Sequence, residues 1–280
     1  MISVFGIGTA GHNIAQLFRE HKNYNIFSFT TQEVNNVEGH TRLSSDLTPE
    51  LCEDNIPDLT RLKDTVDEDI QVILCGSSFS ANYALGILEQ FKDRKIQIFY
   101  IKPDTELLSG QSKLQENAIF GILQEYTRSG LFENMTIISN TKVEEIVGNV
   151  PVKNYFSTLN QTIYYVIHYM NYFANKQPII GNLTNPTEIQ RIRTFGMINP
   201  TNLSEKMFYE LDMARDTSYY VCITSSRLET DGTLHKKLVN TLKNKPRNAF
   251  KNLSYAIYES NTENDFGFCI AHTNAVQTNS

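Results

Sequence analysis

The 280-residue chain has only four cysteines, Cys52, Cys75, Cys222 and Cys269, and no two of them stand in a C-x-x-C spacing. That pattern argues against a disulfide frame and a thiolate metal site. Three of the four lie in apolar runs, as buried thiols of a reducing compartment such as the cytoplasm do. No run of Lys and Arg offers a stripe for tracking phosphates. With 25 basic against 31 acidic residues the net charge is −6, which argues against direct nucleic-acid binding. The opening MISVFGIGTAG lacks the basic stretch, apolar core and small-residue cleavage site of a secretory signal. There is no internal repeat and no low-complexity linker, and only the tail after Asn274 reads as frayed.

Charge is also missing from Tyr155 to Ala174, a stretch long enough to span a bilayer. Asn160, Gln161, His168 and Asn171 interrupt it with polar groups that lipid would penalise. No transmembrane segment is therefore expected, and the stretch reads as a helix touching two domains and a ligand. What remains is ordinary globular composition: 40% hydrophobic residues supply a core, and the length suits two domains or one large α/β unit.

Apolar runs at 2–7, 25–29, 70–74, 96–101 and 135–138 read as strands, with helices expected at 13–20, 58–65, 81–91 and 115–128. Their alternation predicts a doubly wound, mostly parallel sheet. From Val152 to Asn175, apolar residues Phe156, Leu159, Ile163, Val166, Ile167, Met170 and Phe173 recur at three- and four-residue steps. Such a helix, about 35 Å long, exceeds any ordinary crossover and is expected to link two domains. The division falls at residues 1–176, including that helix, and 177–280, a smaller α+β domain. In the latter, helices are expected at 186–195, 205–215 and 233–244, with a strand at 219–224. Strands at 253–259 and 266–272 are expected to form an antiparallel pair joined at 261–265.

Two turns carry the chemistry. The first strand runs into Gly6-Ile7-Gly8-Thr9-Ala10-Gly11-His12-Asn13, a G-x-G-x-x-G between strand and helix, where backbone N–H groups can approach a phosphate. A glycine turn needed only for tight strand–helix packing is the alternative. The second strand ends Ser28-Phe29-Thr30-Thr31 without the acidic residue that holds a ribose, which disfavours an NAD-type oxidoreductase. The third strand leads into Cys75-Gly76-Ser77-Ser78-Phe79-Ser80, a second anion-binding turn on the same sheet edge. Gly76-x-Ser78-x-Ser80 also has nucleophile-elbow spacing. A serine hydrolase would need His and Asp partners, and His168 lies mid-helix while His272 is nearly at the end of the chain.

In this order of parts the chain resembles the FtsZ/tubulin superfamily over nearly its whole length. Gly6, Gly8, Gly11 and Asn13 match the family's first loop, G-x-G-x-x-G-x-N, and residues 76–81 fall where its signature glycine loop belongs. Lys102-Pro103 sits where many FtsZ sequences have Lys-Pro, and Asn140 matches an Asn that contacts guanine. The start of the central helix, Tyr155-Phe156-Ser157-Thr158-Leu159-Asn160, is similar to the family's A-F-x-x-x-N. The resemblance implies that Phe156 stacks on guanine while Asn160 reads its edge. An aromatic and an amide at i and i+4 do share one helix face. For Phe156 the alternative is plain core packing.

The departures matter equally. The signature loop keeps one glycine, with Ser77, Ser78 and Ser80 left to donate and Phe79 where backbone normally wraps phosphate. A glycine-rich loop of the family is missing, and residues 39–51 carry Ser44-Ser45-Asp46 instead. The family's N-x-D-x-x-D acts on the next subunit's nucleotide. Here Asn182-Leu183-Thr184-Asn185-Pro186-Thr187-Glu188 has Thr at both acid positions, leaving Asn182 and Glu188 as catalytic candidates. A hydroxyl does not take a proton as a carboxylate does near neutral pH, so hydrolysis is expected to be slow or absent. The resemblance implies GTP or GDP, with Mg2+ accompanying it and no separate metal site, and a head-to-tail homopolymer. The alternative is a pseudo-GTPase, an interaction module whose pocket is empty or occluded.

Overall fold

The computed structural model describes residues 1–34, 37–245, 251–260 and 262–278. The chain divides into two compact units, Met1–His168 and Tyr169–Thr278, and the division falls inside a helix. No helix among the described residues is long and apolar enough to cross a membrane.

The first unit contains β1 (Ile2–Ile7), α1 (Gly8–Leu17), β2 (Tyr24–Thr30), β3 (His40–Arg42), α2 (Pro49–Asp54), β4 (Asp69–Cys75) and α3 (Ala84–Glu89). It continues with β5 (Lys95–Lys102), α4 (Gly110–Arg128), β6 (Asn134–Ser139), α5 (Asn140–Val147) and most of α6 (Tyr155–Ala174). Its strands lie in the order β3-β2-β1-β4-β5-β6, every pair parallel. The continuous apolar runs follow from this: Ile70, Val72, Ile73 and Leu74 of β4 are buried on both faces, as a strand covered on both sides requires. The order steps one way from β1 to β3 and the other way from β4 to β6. Right-handed crossovers then place their helices on opposite faces, so the sheet is doubly wound as expected.

Several first-unit elements differ from the sequence reading. The helix expected at 58–65 is one short 3-10 turn, Thr60–Leu62, in which N–H groups reach back three residues, Leu62 to Leu59 at 2.9 Å and Lys63 to Thr60 at 3.2 Å. The helix expected at 81–91 begins as a 3-10 turn, Phe79–Tyr83, before α3. Helices α2 and α5 and strand β3 were not expected. They are too short for a periodic signal.

The second unit holds the end of α6, then β7 (Ile180–Asn182), β8 (Ile192–Ile198), β9 (Glu205–Met207) and β10 (Asp216–Thr224). It closes with α7 (Ser225–Thr230), α8 (Leu234–Asn244), β11 (Asn252–Ser260) and β12 (Phe266–Thr273). Its order is β8-β12-β10-β11-β7, with β9 antiparallel to β8. Among its described residues only β10 and β11 pair in parallel, with α7 and α8 between them in sequence. Period-two alternation on β10 divides the core. Tyr219, Val221 and Ile223 pack with Leu234, Leu238 and Leu242, one stripe of α8. On other strands Tyr258, Phe266 and Phe268 lie against Phe173 of α6, at 4.6, 6.4 and 6.2 Å between ring centres.

Three expectations fail here. Residues 186–195 are not helical: an irregular segment leads into β8, whose Ile192, Thr194 and Ile198 suit a strand. Residues 205–215 are not helical either. A hairpin turn capped by Asn199 on the Thr201 N–H (2.8 Å) makes β9 a strand, and Met213 at φ 53° is outside helical space. Lastly, β11 and β12 do not pair, because β10 lies between them, parallel to one and antiparallel to the other. Of the expected connection, residue 261 lies outside the described residues.

Candidate functional site

The point where strand order reverses lies between β1 and β4, and a doubly wound sheet opens a crevice there, beyond the carboxyl ends of its strands. Both glycine turns open onto it. β1 passes straight into α1, earlier than expected, so Gly8 and Gly11 are helical residues. A Cβ on Gly6 would overlap the Gly11 carbonyl, and one on Gly11 the Ile73 carbonyl, so these two glycines serve close packing of strand on helix. Gly8 is different. Its φ of 75° lies in the left-handed region, and a side chain there would strike the hydroxyl of Ser78, with Ser80 close behind. The two turns therefore meet at Gly8. Asn13 is exposed one turn further along α1.

The turn after β4 is braced from below. Gly76 leaves room for the Tyr100 hydroxyl, which a Cβ would overlap. That hydroxyl donates to Glu116 Oε1 at 3.0 Å. Lys102, at the end of β5, turns inward to the same oxygen at 3.6 Å and lies 4.6 Å from the centre of the Phe120 ring. Burial pulls the Lys102 ammonium below its usual range, opposed by the attraction of Glu116. Burial and the neighbouring carboxylate push Tyr100 well up. Cys75, also pushed up by burial, has its sulfur 3.5 Å from the Ser77 hydroxyl. Ser77 and Ser78 are half-buried, Ser80 is buried, and the half-buried Phe79 ring meets Tyr83 edge-on at 6.4 Å.

At the far end of the same edge, Asn140 follows β6 as the first residue of α5, whose N-terminus Ser139 caps. The start of α6 is tied to α5 by the Tyr155 hydroxyl, which donates to Glu144 Oε2 at 2.6 Å. This bond and the carboxylate's charge push the Tyr155 phenol up to about 12. Phe156 is 70% exposed and rests edge-on against Tyr155 at 5.0 Å, so the core-packing reading of this ring fails. Asn160, one turn on, is half-buried.

The acid-loop candidates lie in the second unit. Asn182 ends β7, paired with Tyr255, and the exposed Thr184, Thr187 and Glu188 follow in irregular chain. No three His, Cys, Asp or Glu side chains gather as a metal site among the described residues. The sequence reading missed Gln115, Glu116 and Tyr100, which support the second turn. The only signals were a tyrosine inside an apolar strand and a carboxylate on the buried face of a helix.

No family model matches the chain, and no curated protein does. Solved structures do. FtsZ of M. jannaschii, as an empty dimer, is 14% identical with a TM-score of 0.67, over 97% of this chain and 87% of that one. A GTPγS-form protofilament of TubZ from Bacillus thuringiensis serovar israelensis is 16% identical at 0.68, over 97% and 86%. The GDP-bound monomer of CetZ1 from Haloferax volcanii is 10% identical at 0.67, over 98% and 94%.

Proposed function

We propose that the chain, which has the FtsZ/tubulin-like fold, binds a guanine nucleotide along the carboxyl edge of the first unit's sheet and assembles head to tail into filaments. The observation that carries this reading is the exposed Phe156 ring. A large aromatic left 70% in water on a helix whose Leu159, Ile163 and Ile167 are buried is otherwise a cost, and a purine offers it a stacking partner. Asn160 and Asn140 supply amides for a base edge, the turns at Gly8 and at Ser77–Ser80 supply donors for phosphates, and Mg2+ would be held largely by phosphate oxygens and water. In this reading residues 1–176 form the nucleotide-binding domain. Residues 177–280 present Asn182 and Glu188 to the nucleotide of the next subunit; that a TubZ of the same fold forms a protofilament supports the self-association alone. Thr184 and Thr187 lack a carboxylate to orient water, so turnover sits near background.

One observation favours a second reading, a pseudo-GTPase. Ser78 stands against Gly8 where the two phosphate turns meet. Nucleotide content separates the two: acid release from freshly purified protein followed by chromatography yields guanine nucleotide under the first reading. A clean negative, together with no pelleting on addition of GTP, supports the second.

A further inference from the structure

The loss of glycines from the turn after β4 has a counterpart in the helix beneath it. Two successive residues of α4 reach that turn. The side-chain amide of Gln115 donates to the Ser78 carbonyl at 3.1 Å, across 37 residues of sequence. Glu116 holds the Tyr100 hydroxyl in the space that a side chain at position 76 would need. The Ser78 carbonyl also accepts the Ala81 N–H at 2.9 Å, and the Ser78 N–H goes to Cys75 at 3.0 Å. Ser78 is thus fixed through its carbonyl, its N–H and its contact with Gly8. The clamp itself rests on rigid groups: Glu116 is fully buried, faces Lys102, and rides on a helix that extends back past Gln115 to an N-cap at Ser109.

We propose that Gln115 is a positioning residue for the Gly76–Ser80 turn. A glycine loop reaches its ligand-binding shape through backbone freedom. This serine turn is held in one shape by a side chain from α4, so the entropy of ordering it is met on folding and not on binding. The inference rests on the nucleotide-binding reading for its ligand, and its clamp can be measured without any ligand, because Cys75 stands at the base of the turn as a built-in reporter. The other three thiols, Cys52, Cys222 and Cys269, are buried elsewhere and report general loosening.

The test compares the wild-type chain with Gln115→Met, which keeps length and loses the donor, and Gln115→Lys, which restores a donor. Alkylation by iodoacetamide is followed at each cysteine by peptide mass spectrometry. Loss of one neutral hydrogen bond is expected to raise the Cys75 rate about fivefold in Gln115→Met, leaving the rates of the other three thiols unchanged and lowering the melting temperature by no more than about 4 °C. Gln115→Lys should return the rate towards wild type. GTP affinity, measured by calorimetry, should fall by about the same factor in Gln115→Met. An unchanged Cys75 rate overturns the clamp. A rise at all four cysteines overturns it too, since Gln115 would then be a general stabiliser. Wild-type binding with no change of affinity in Gln115→Met removes the positioning role alone. Wild-type protein that binds no GTP refutes the proposed function, and the positioning role with it, whatever the alkylation rates show.

Discussion

Truncating Phe156 to alanine separates a base-stacking ring from a structural one by magnitude. The residue is 70% exposed, so less than a third of its surface is covered. For a phenylalanine of roughly 200 Å2 that is about 60 Å2, or about 1.5 kcal/mol at about 25 cal/mol per Å2. This is an upper bound, because the extended-chain reference overstates burial and part of the covered area belongs to backbone. The melting temperature should therefore fall by no more than about 6 °C. Stacking on a base is worth about 1–3 kcal/mol, so the dissociation constant for GDP should rise about 5- to 150-fold. Calorimetry at constant salt gives the constant, and differential scanning calorimetry the melting point. An unchanged constant, or a melting point lowered by 10 °C or more, would show that the ring serves the fold and that the purine assignment is wrong.

Lys102→Met leaves the buried Glu116 carboxylate without its cation and should cost about 3–5 kcal/mol in urea unfolding; a loss below about 1 kcal/mol would mean that the pair is dispensable. Gly8→Ala should destabilise by about 1–2 kcal/mol from backbone strain, plus a steric part that disappears in a Ser78→Gly background. If the two substitutions are additive, the Gly8–Ser78 contact is absent in solution. Burial lowers His168 and His12, and takes His272 down to about 3. Each is then held neutral in the folded state, while the unfolded chain takes up its proton near pH 6.5. Stability is full above that value and is lost as pH falls towards the folded values, by about 1.4 kcal/mol per pH unit for a histidine at the steepest. Replacing His272 with Gln should flatten an acid-unfolding profile between pH 6.5 and 4, and a profile as steep as wild type would count against the burial argument.

The parallel half of the fold was legible because each of its longer strands is a continuous apolar run bounded by turn residues, a pattern that burial on both faces imposes. The antiparallel half was not. β8 carries a buried Arg193 and Thr194 amid its apolar residues, and β9 is three residues long, so neither shows a clean period. Leu203 and Met213 adopt positive φ that no glycine or asparagine announces. The pairing of β10 with both β11 and β12 is set by competition among strands, which a local window does not contain. In the candidate site, the glycines of the first turn were readable as residues needed for their missing side chains. Phe156 stood out by spacing, but its exposure depended on what α5 leaves uncovered. Gln115 and Glu116 were invisible for a simpler reason: they act on residues 37 and 16 positions away.

The place of β12 in its sheet bears on how the protein is made. Of the strands described, this one comes last in sequence, yet it lies between β8 and β10 and supplies a ladder to each. While a ribosome is still adding residues 225–265, the first unit's strands have all been made. β8 and β10, by contrast, each wait for the ladder that β12 supplies, with that edge's N–H and C=O groups open to other partners. Such edges are templates for foreign strands. At about 5–20 residues per second the exposure lasts seconds, long enough for a chaperone or another nascent chain to find it. A stall or frameshift between Thr224 and Phe266 would therefore release a chain in which β8 and β10 are made but lack the strand that joins them, a ready partner for aggregation.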